Sequence, residues 1–162
     1  MTTRRKLMIG VLGPHECPRA DAALGAEVGA EIARCGAILV CGGLGGMMEA
    51  AAKGAKSQGG LTVGILPGDD ASAANAHIDV PLPTGLGAVR NTLVVRGCDA
   101  VIAIRGSYGT LSEIAFALRL GVPVVGLRTW SVSRDGKTDP GIHVAESPAE
   151  AVNMAVQLAK KA

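Results

Sequence analysis

The sequence predicts an α/β fold in which a parallel sheet carries helices on both faces. Short apolar runs recur along the chain without polar alternation, at 6–12, 37–41, 61–66, 100–104 and 122–127. Strands covered on both faces have that character. Between the runs lie segments with helical spacing, at 20–35, 46–58, 86–97 and 110–120, and a terminal one at 148–160. An alternating β-α order calls for parallel strands joined by right-handed crossovers.

The elements follow in order. The first run, KLMIGVL, is bounded by Gly13-Pro14, which punctuates a strand end. Leu24, Val28, Ile32 and Cys35 then fall at i, i+4, i+8 and i+11, one face of a helix. AILVC leads through GGLGG into the segment 46–58, and LTVGIL ends at Pro67. The stretch 67–87, PGDDASAANAHIDVPLPTGLG, has little amphipathic pattern and reads as a mobile loop. AVIAI and VPVVGL flank the helical segment 110–120, and within the polar interruption 129–141 RDGK reads as a turn. A three-layer Rossmann-like arrangement is the expectation, with residues 1–162 forming one nucleotide- or phosphate-binding domain.

Composition removes several function classes. A chain of 162 residues buries roughly two-thirds of its unfolded surface. Its aromatic residues are Trp130, Tyr108 and Phe116 alone, so the core is built from Ala, Val, Ile, Leu and Met. The net charge is +2, with no long basic cluster beyond Arg4-Arg5-Lys6 and no aromatic RNA-binding signature, which argues against nucleic acid as a partner. RRKLMIGVLG has the charge order of a signal peptide, but its apolar run is short and ends at Pro14, His15 and Glu16. No apolar stretch approaches the ~18–20 residues that span a bilayer, so no membrane association is expected. Cys17, Cys35, Cys41 and Cys98 are scattered, without a C-x-x-C pair or a His at zinc-like spacing. The expectation is therefore thiols in a reducing cytoplasm and no metal site.

Two glycine-rich junctions carry the functional reading. In open parallel sheets ligands bind beyond the carboxyl ends of the strands, where unpaired amides at helix starts favour phosphate. GGLGG (42–46) sits at such a junction; its spacing is neither G-x-G-x-x-G nor a Walker A motif. Alone it also fits a tight strand-to-helix turn that binds nothing. The second junction, RGSYGTLSE (105–113), follows AVIAI and adds the hydroxyls of Ser107 and Thr110 to the amides at Gly106 and Gly109. Thr110-Leu111-Ser112-Glu113 also has capping-box spacing, and on spacing alone Glu113 reads as a cap for its own helix.

At these residues the chain resembles the LOG-like Rossmann superfamily, often labelled "lysine decarboxylase-like". CGGLGGMMEAAAKGA is similar to its GG-x-x-G-(L/V)-M segment, and GSYGTLSEIAFAL to its P-G-G-x-G-T-x-x-E segment. AVRNTLVVRGCDAVIAI is similar to its arginine-bearing helix and following strand. The group includes cytokinin riboside 5'-monophosphate phosphoribohydrolases and molybdenum cofactor carrier proteins. The resemblance implies catalytic roles for Arg90 and Glu113 in a hydrolase, and a phosphate cradle from Gly42, Gly43, Gly45, Gly46, Met47, Gly106, Ser107, Gly109 and Thr110. No metal or redox cofactor is implied as a requirement; the possible bound species are a nucleotide or the molybdenum cofactor.

Two departures weaken a transfer of the hydrolase activity: Arg105-Gly106-Ser107 stands where Pro-Gly-Gly is usual, and Glu49 where the hydrolases carry a small residue; GGMMEAAAKGA, GSYGTLSEIAFAL and the short chain lean toward the carrier branch. The expectations are thus a carrier of a phosphate-bearing, nucleotide-like ligand or, alternatively, a hydrolase cleaving the N-glycosidic bond of nucleoside 5'-monophosphates. Relatives imply a dimer or tetramer, with the segments 86–97 and 110–120 at the subunit contact. Without the resemblance Arg90 and Arg96 read as solvated helix arginines, Met47 and Met48 as core, and Cys17 as a thiol without a base partner. Nothing around Lys53 or Lys56 supports a pyridoxal site.

Overall fold

The computed structural model describes residues 5–162, so Arg4 of the basic cluster lies outside the described residues. In chain order the elements are β1 (Met8–Leu12), α1 (Arg19–Arg34), β2 (Ile38–Cys41), α2 (Met47–Ser57), β3 (Thr62–Leu66), β4 (Val80–Pro83), α3 (Asn91–Arg96), β5 (Ala100–Ile104), α4 (Tyr108–Leu120), β6 (Val124–Leu127), β7 (Ser133–Arg134), β8 (Lys137–Thr138), β9 (Ile142–Val144) and α5 (Pro148–Lys161). All five apolar runs are strands. They lie within a seven-stranded sheet ordered β4-β3-β2-β1-β5-β6-β9, and every pairing in it is parallel.

The lack of polar alternation has the expected cause. Along β5, Ala100, Ile102 and Ile104 join one core cluster with α1, α2 and α5, while Val101 and Ala103 join the other with α3 and α4. Both faces of the strand are dry, which makes the molecule three-layered. The chain winds outward from β1 through β2 and β3 on one side and from β5 to β6 on the other, so the strand order reverses between β1 and β5. Crevices for ligands open at that reversal in doubly wound sheets.

Helices α1 and α2 lie backbone to backbone. A Cβ at Gly29 would collide with the Ala51 carbonyl, and one at Gly54 with the Ala26 carbonyl, so the absence of side chains sets this approach. Helix α5 starts on Ser147, whose hydroxyl accepts the Glu150 amide at 3.2 Å, with Pro148 at the first helical position.

Three sequence expectations change. The stretch 67–87, read as a loop, contains β4, paired with β3 in register Val63↔Val80 to Leu66↔Pro83. Pro81 and Pro83 disguise it, and they are tolerated because β4 is an edge strand whose outer side needs no donors. β9, another edge strand, has only three residues and went unread. The helical segment 86–97 divides into a 3-10 turn, Gly87–Arg90, and the short α3, which brings Arg90 inward at the junction. The RDGK turn joins β7 to β8, with Asp135 and Gly136 at φ 51° and 75°, as a tight hairpin requires.

Gly54→Ala is expected to lower stability by ~1–3 kcal/mol, because overpacking against a main-chain carbonyl outweighs the ~1 kcal/mol helix-propensity gain. Urea unfolding measures it, with Gly68→Ala, where an added methyl meets open space, as the near-neutral control.

Candidate functional site

Three strand ends converge at the reversal. β1 runs into Gly13-Pro14-His15, β2 into the glycine loop 42–46, and β5 into Arg105-Gly106-Ser107. Helices α2 and α4 start from the last two, and neither start has a side-chain cap. Their fates differ. At α2 the N-cap Gly46 has φ 64°, and the space a Cβ would need is filled by the carbonyls of Pro14 and His15. The Pro14 carbonyl also accepts the Met47 amide at 3.0 Å, so the neighbouring loop has already taken this helix's first donor. At α4 an added Cβ on Gly109 would meet nothing within 4 Å, which leaves the helix start open to a ligand.

A cleft of about 290 Å³ lies against that open start. It brings together Arg90, Ser107, Gly109, Thr110 and Glu113 among the residues singled out in the sequence, with Pro14, His15, Met48, Pro67 and Asn91 completing the wall. Gly42, Gly43, Gly45, Gly46, Met47 and Gly106 do not line it. Their positions are explained by the protein's own packing. The Arg90 guanidinium occupies the place of a Gly42 side chain, and Gly43 lies against the Gly64 main chain, its Cβ position 3.1 Å from that Cα. Met47 is fully buried in the core. Gly106, at φ 106°, closes over the Thr110 side chain, and Gly45 has only the His15 carbonyl nearby, at 3.8 Å.

Arg90 is 8% exposed, and its Nε has no hydrogen-bond partner. Burial lowers its pKa, opposed by the nearby charge of Glu113. The guanidinium nevertheless remains charged, since arginine does not give up its proton in proteins. Glu113, half-buried on the opposite wall, is pushed up to about 7 by burial, with Arg90 pulling the other way. It does not cap its helix. Ser107 takes the N-cap position, so Thr110 already lies inside α4 and Glu113 in the second turn, three residues too late for the capping box. That expectation is corrected, and Glu113 faces the cleft instead.

Other candidates fall away from the chemistry. Burial pushes the Cys41 thiol up to about 11 and raises Cys17 as well, so neither is a ready thiolate. Glu49 is exposed in the first turn of α2, where the helix dipole favours a carboxylate. Among the described residues no cluster of three or more His, Cys, Asp or Glu is placed to hold a metal, and no helix is long and apolar enough to cross a membrane. One supporting residue gave no sequence signal. Asn75 donates its side-chain amide to the Leu44 carbonyl at 2.8 Å and its main-chain amide to the Gly43 carbonyl at 2.9 Å, bracing the glycine loop.

The chain is similar over nearly its whole length to proteins of known structure. It is 34% identical to the molybdenum cofactor binding protein from the phototrophic bacterium Rippkaea orientalis, with a TM-score of 0.86, covering 96% of this chain and 99% of that one. It is 36% identical to the Moco carrier protein from Chlamydomonas reinhardtii, also at TM-score 0.86, covering 98% and 100% of the two chains. An uncharacterised protein from Archaeoglobus fulgidus is 44% identical over 157 residues, 96% of this chain and 99% of that protein. The resemblance carried by the two glycine motifs is thus borne out, including its lean toward the carrier branch. With residues 6–152 matching it, the chain belongs to the SLOG cluster4 family.

Proposed function

We propose that this protein binds and carries a phosphate-bearing, nucleotide-like ligand, as a molybdenum cofactor carrier does, with the phosphate held between Arg90 and the start of α4. The observation that supports this most directly is a buried guanidinium whose Nε has no partner, on the wall of an open cleft. A buried cation left incompletely satisfied is costly, and an incoming anion with several acceptor oxygens removes that cost. Ser107 and Thr110 add hydroxyl donors beside the amides of the first turn.

The donor set fits the phosphate end of the molybdenum cofactor. When bound, that group brings its own metal chemistry as cargo, while these residues orient and retain its phosphate. The free thiols suit a reducing cytoplasmic setting.

A second reading is favoured by Glu113, whose elevated pKa suits proton transfer near neutral pH. In a phosphoribohydrolase, Arg90 would fix the 5'-phosphate and Glu113 would take a proton from water. The water oxygen bonds to the ribosyl carbon as the bond to the base breaks, and the proton that Glu113 took from the water passes on to the departing base.

We also propose a homo-oligomer, dimer or tetramer, formed through the layer of α3 and α4. Leu86, Val89, Leu93, Phe116 and Leu120 are exposed there, an apolar surface of the kind that subunit contacts cover.

Incubation with a panel of nucleoside 5'-monophosphates, followed by chromatography and calorimetry, separates the two readings. The expected result is binding without release of free base, weakened ~10- to 100-fold in Arg90→Ala, as for a lost charge-assisted hydrogen bond. Release of base that disappears in Glu113→Gln overturns the carrier reading in favour of the hydrolase.

Affinity for a phosphate ligand is expected to fall as pH rises through about 7, because ionised Glu113 repels the anion, and to lose that dependence in Glu113→Gln. Stability carries the same sign. The folded pKa lies above the ordinary 4.5, so the favourable contribution is complete below that value and is lost as pH rises through about 7. Glu113→Gln should therefore unfold at a higher temperature than wild type at pH values above about 7, with little difference at acid pH.

Sedimentation should show wild type as a dimer or larger, and Val89→Glu, which places a charge on the apolar layer, shifted toward monomer.

A further inference from the structure

Arg90 is buried, yet its guanidinium lacks the bonds that usually fix such a group. Its Nε has no partner, and among the described residues it forms no ion pair, not even with Glu113 in the same cleft. The guanidinium is therefore placed by the surface it packs on, which is the main chain at Gly42. A packing surface positions a side chain only as well as the surface is itself held.

That surface is difficult to hold. The loop 42–46 has a single side chain, Leu44, and Gly43 and Gly46 are left-handed at φ 77° and 64°. Glycine loses more chain entropy on ordering than other residues, so such a loop keeps one shape only when its neighbours bond it. Bonds reach it at both ends: the Cys41 thiol accepts the Gly43 amide at 3.4 Å, and the Pro14 carbonyl accepts the Met47 amide. Its middle is held by Asn75. The carboxamide donates to the Leu44 carbonyl at 2.8 Å and to the Gly43 carbonyl at 3.3 Å, and the Asn75 main-chain amide adds a bond to the Gly43 carbonyl at 2.9 Å.

Asn75 is fixed from behind. Its side-chain oxygen accepts the His77 amide at 3.0 Å, and the His77 carbonyl accepts the Thr62 hydroxyl at 2.6 Å, at the start of β3. Aspartate has the same shape but no donor to offer the two loop carbonyls. Asn75 does not line the cleft, so any effect it has there passes through the loop.

We infer that Asn75 is a positioning residue for the cleft: by holding the Gly43 and Leu44 carbonyls it fixes the floor beneath Arg90, and so sets where the guanidinium meets an anion. The consequence for ligand affinity rests on the carrier reading, whereas the placement of Arg90 does not.

The test begins with the purified full chain and no ligand. Arg90 opposes the upward shift of Glu113, so the Glu113 titration midpoint reports where the guanidinium lies. Carbon-13 NMR of the carboxyl follows it, with Glu113→Gln for assignment. His15 and the Cys41 thiol are the other titratable groups nearby; both are present in every variant, and Cys41, pushed up to about 11, stays neutral near pH 7. Asn75→Ala is expected to raise the midpoint, because a guanidinium released from its floor regains water and leaves the carboxyl. Arg90→Ala should raise it at least as far, and adding Asn75→Ala to Arg90→Ala should change nothing more. Gly42→Ala, whose methyl takes the place of the guanidinium, is expected to raise it too, and tests the same floor if Asn75→Ala does not fold. Ser147→Ala, which removes a helix cap outside the cleft, is the control for lost stability and should leave the midpoint unmoved.

AMP is then titrated by calorimetry. Asn75→Ala is expected to weaken its binding roughly tenfold, and not at all where Arg90 is already alanine. A midpoint that does not rise in Asn75→Ala, or that Ser147→Ala raises equally, overturns the positioning role, as do losses of AMP affinity that add in the double variant. Failure of the carrier reading looks different: AMP does not bind even wild type, while the Glu113 midpoints still decide whether Asn75 holds Arg90 in place.

Discussion

The guanidinium of Arg90 fills the space that a side chain at position 42 would occupy, and much of the site's architecture depends on that contact. A buried cation is tolerated only when its surroundings return part of the hydration it has lost. Glu113 supplies an opposite charge across the cleft, yet the Nε stays without a partner. Several features exist to bring the arginine there. The 3-10 turn Gly87–Arg90 is held by the Gly87 amide on the Pro67 carbonyl at 2.9 Å, and the preceding Thr84 hydroxyl binds the Leu66 carbonyl at 2.7 Å. The end of β3 is thus the anchor for the segment that carries Arg90, and Pro67 there also lines the cleft.

The two glycine-rich loops look alike in sequence but answer different constraints. In 42–46, glycine makes room for protein: a guanidinium over Gly42, a neighbouring main chain against Gly43, two carbonyls against Gly46. That loop ends with its first helical amide already bonded to Pro14. In 105–109, glycine leaves room for something else, since Gly109 faces open space at an uncapped helix start. The open helix start is therefore that of α4, where the proposed phosphate site lies, and the earlier loop serves it indirectly by seating Arg90.

What the sequence disclosed follows from the range of the interactions involved. The five central strands were legible because burial on both faces leaves an unbroken apolar run, and α1 and α5 because their buried faces repeat with the helical period. β4 was hidden by Pro81 and Pro83, whose acceptability depends on lying at a sheet edge, a property of the assembled sheet. The capping box at Thr110-Leu111-Ser112-Glu113 misled because local spacing fits a helix start that the chain makes three residues earlier, at Ser107. Arg90 and Glu113 were found through family resemblance, while their nearness depends on contacts between α3 and α4. Asn75 was beyond reach for the same reason: its partners lie 31 and 32 residues away.

Both functional readings use the same carboxylate, and its charge state separates them. With a pKa of about 7 in the free protein, Glu113 is poised between acid and base. A phosphate dianion bound at Arg90 partly cancels the positive charge that favours ionisation and adds a negative one, so both effects drive the carboxyl further toward its neutral form. A neutral Glu113 accepts no proton from water and offers no charge to a cationic ribosyl centre. Hydrolysis would require the phosphate to sit far enough away, or to be neutralised well enough, for Glu113 to stay ionised in the complex. The balance between holding a ligand and cleaving it thus turns on the charge that Glu113 keeps once the phosphate is bound.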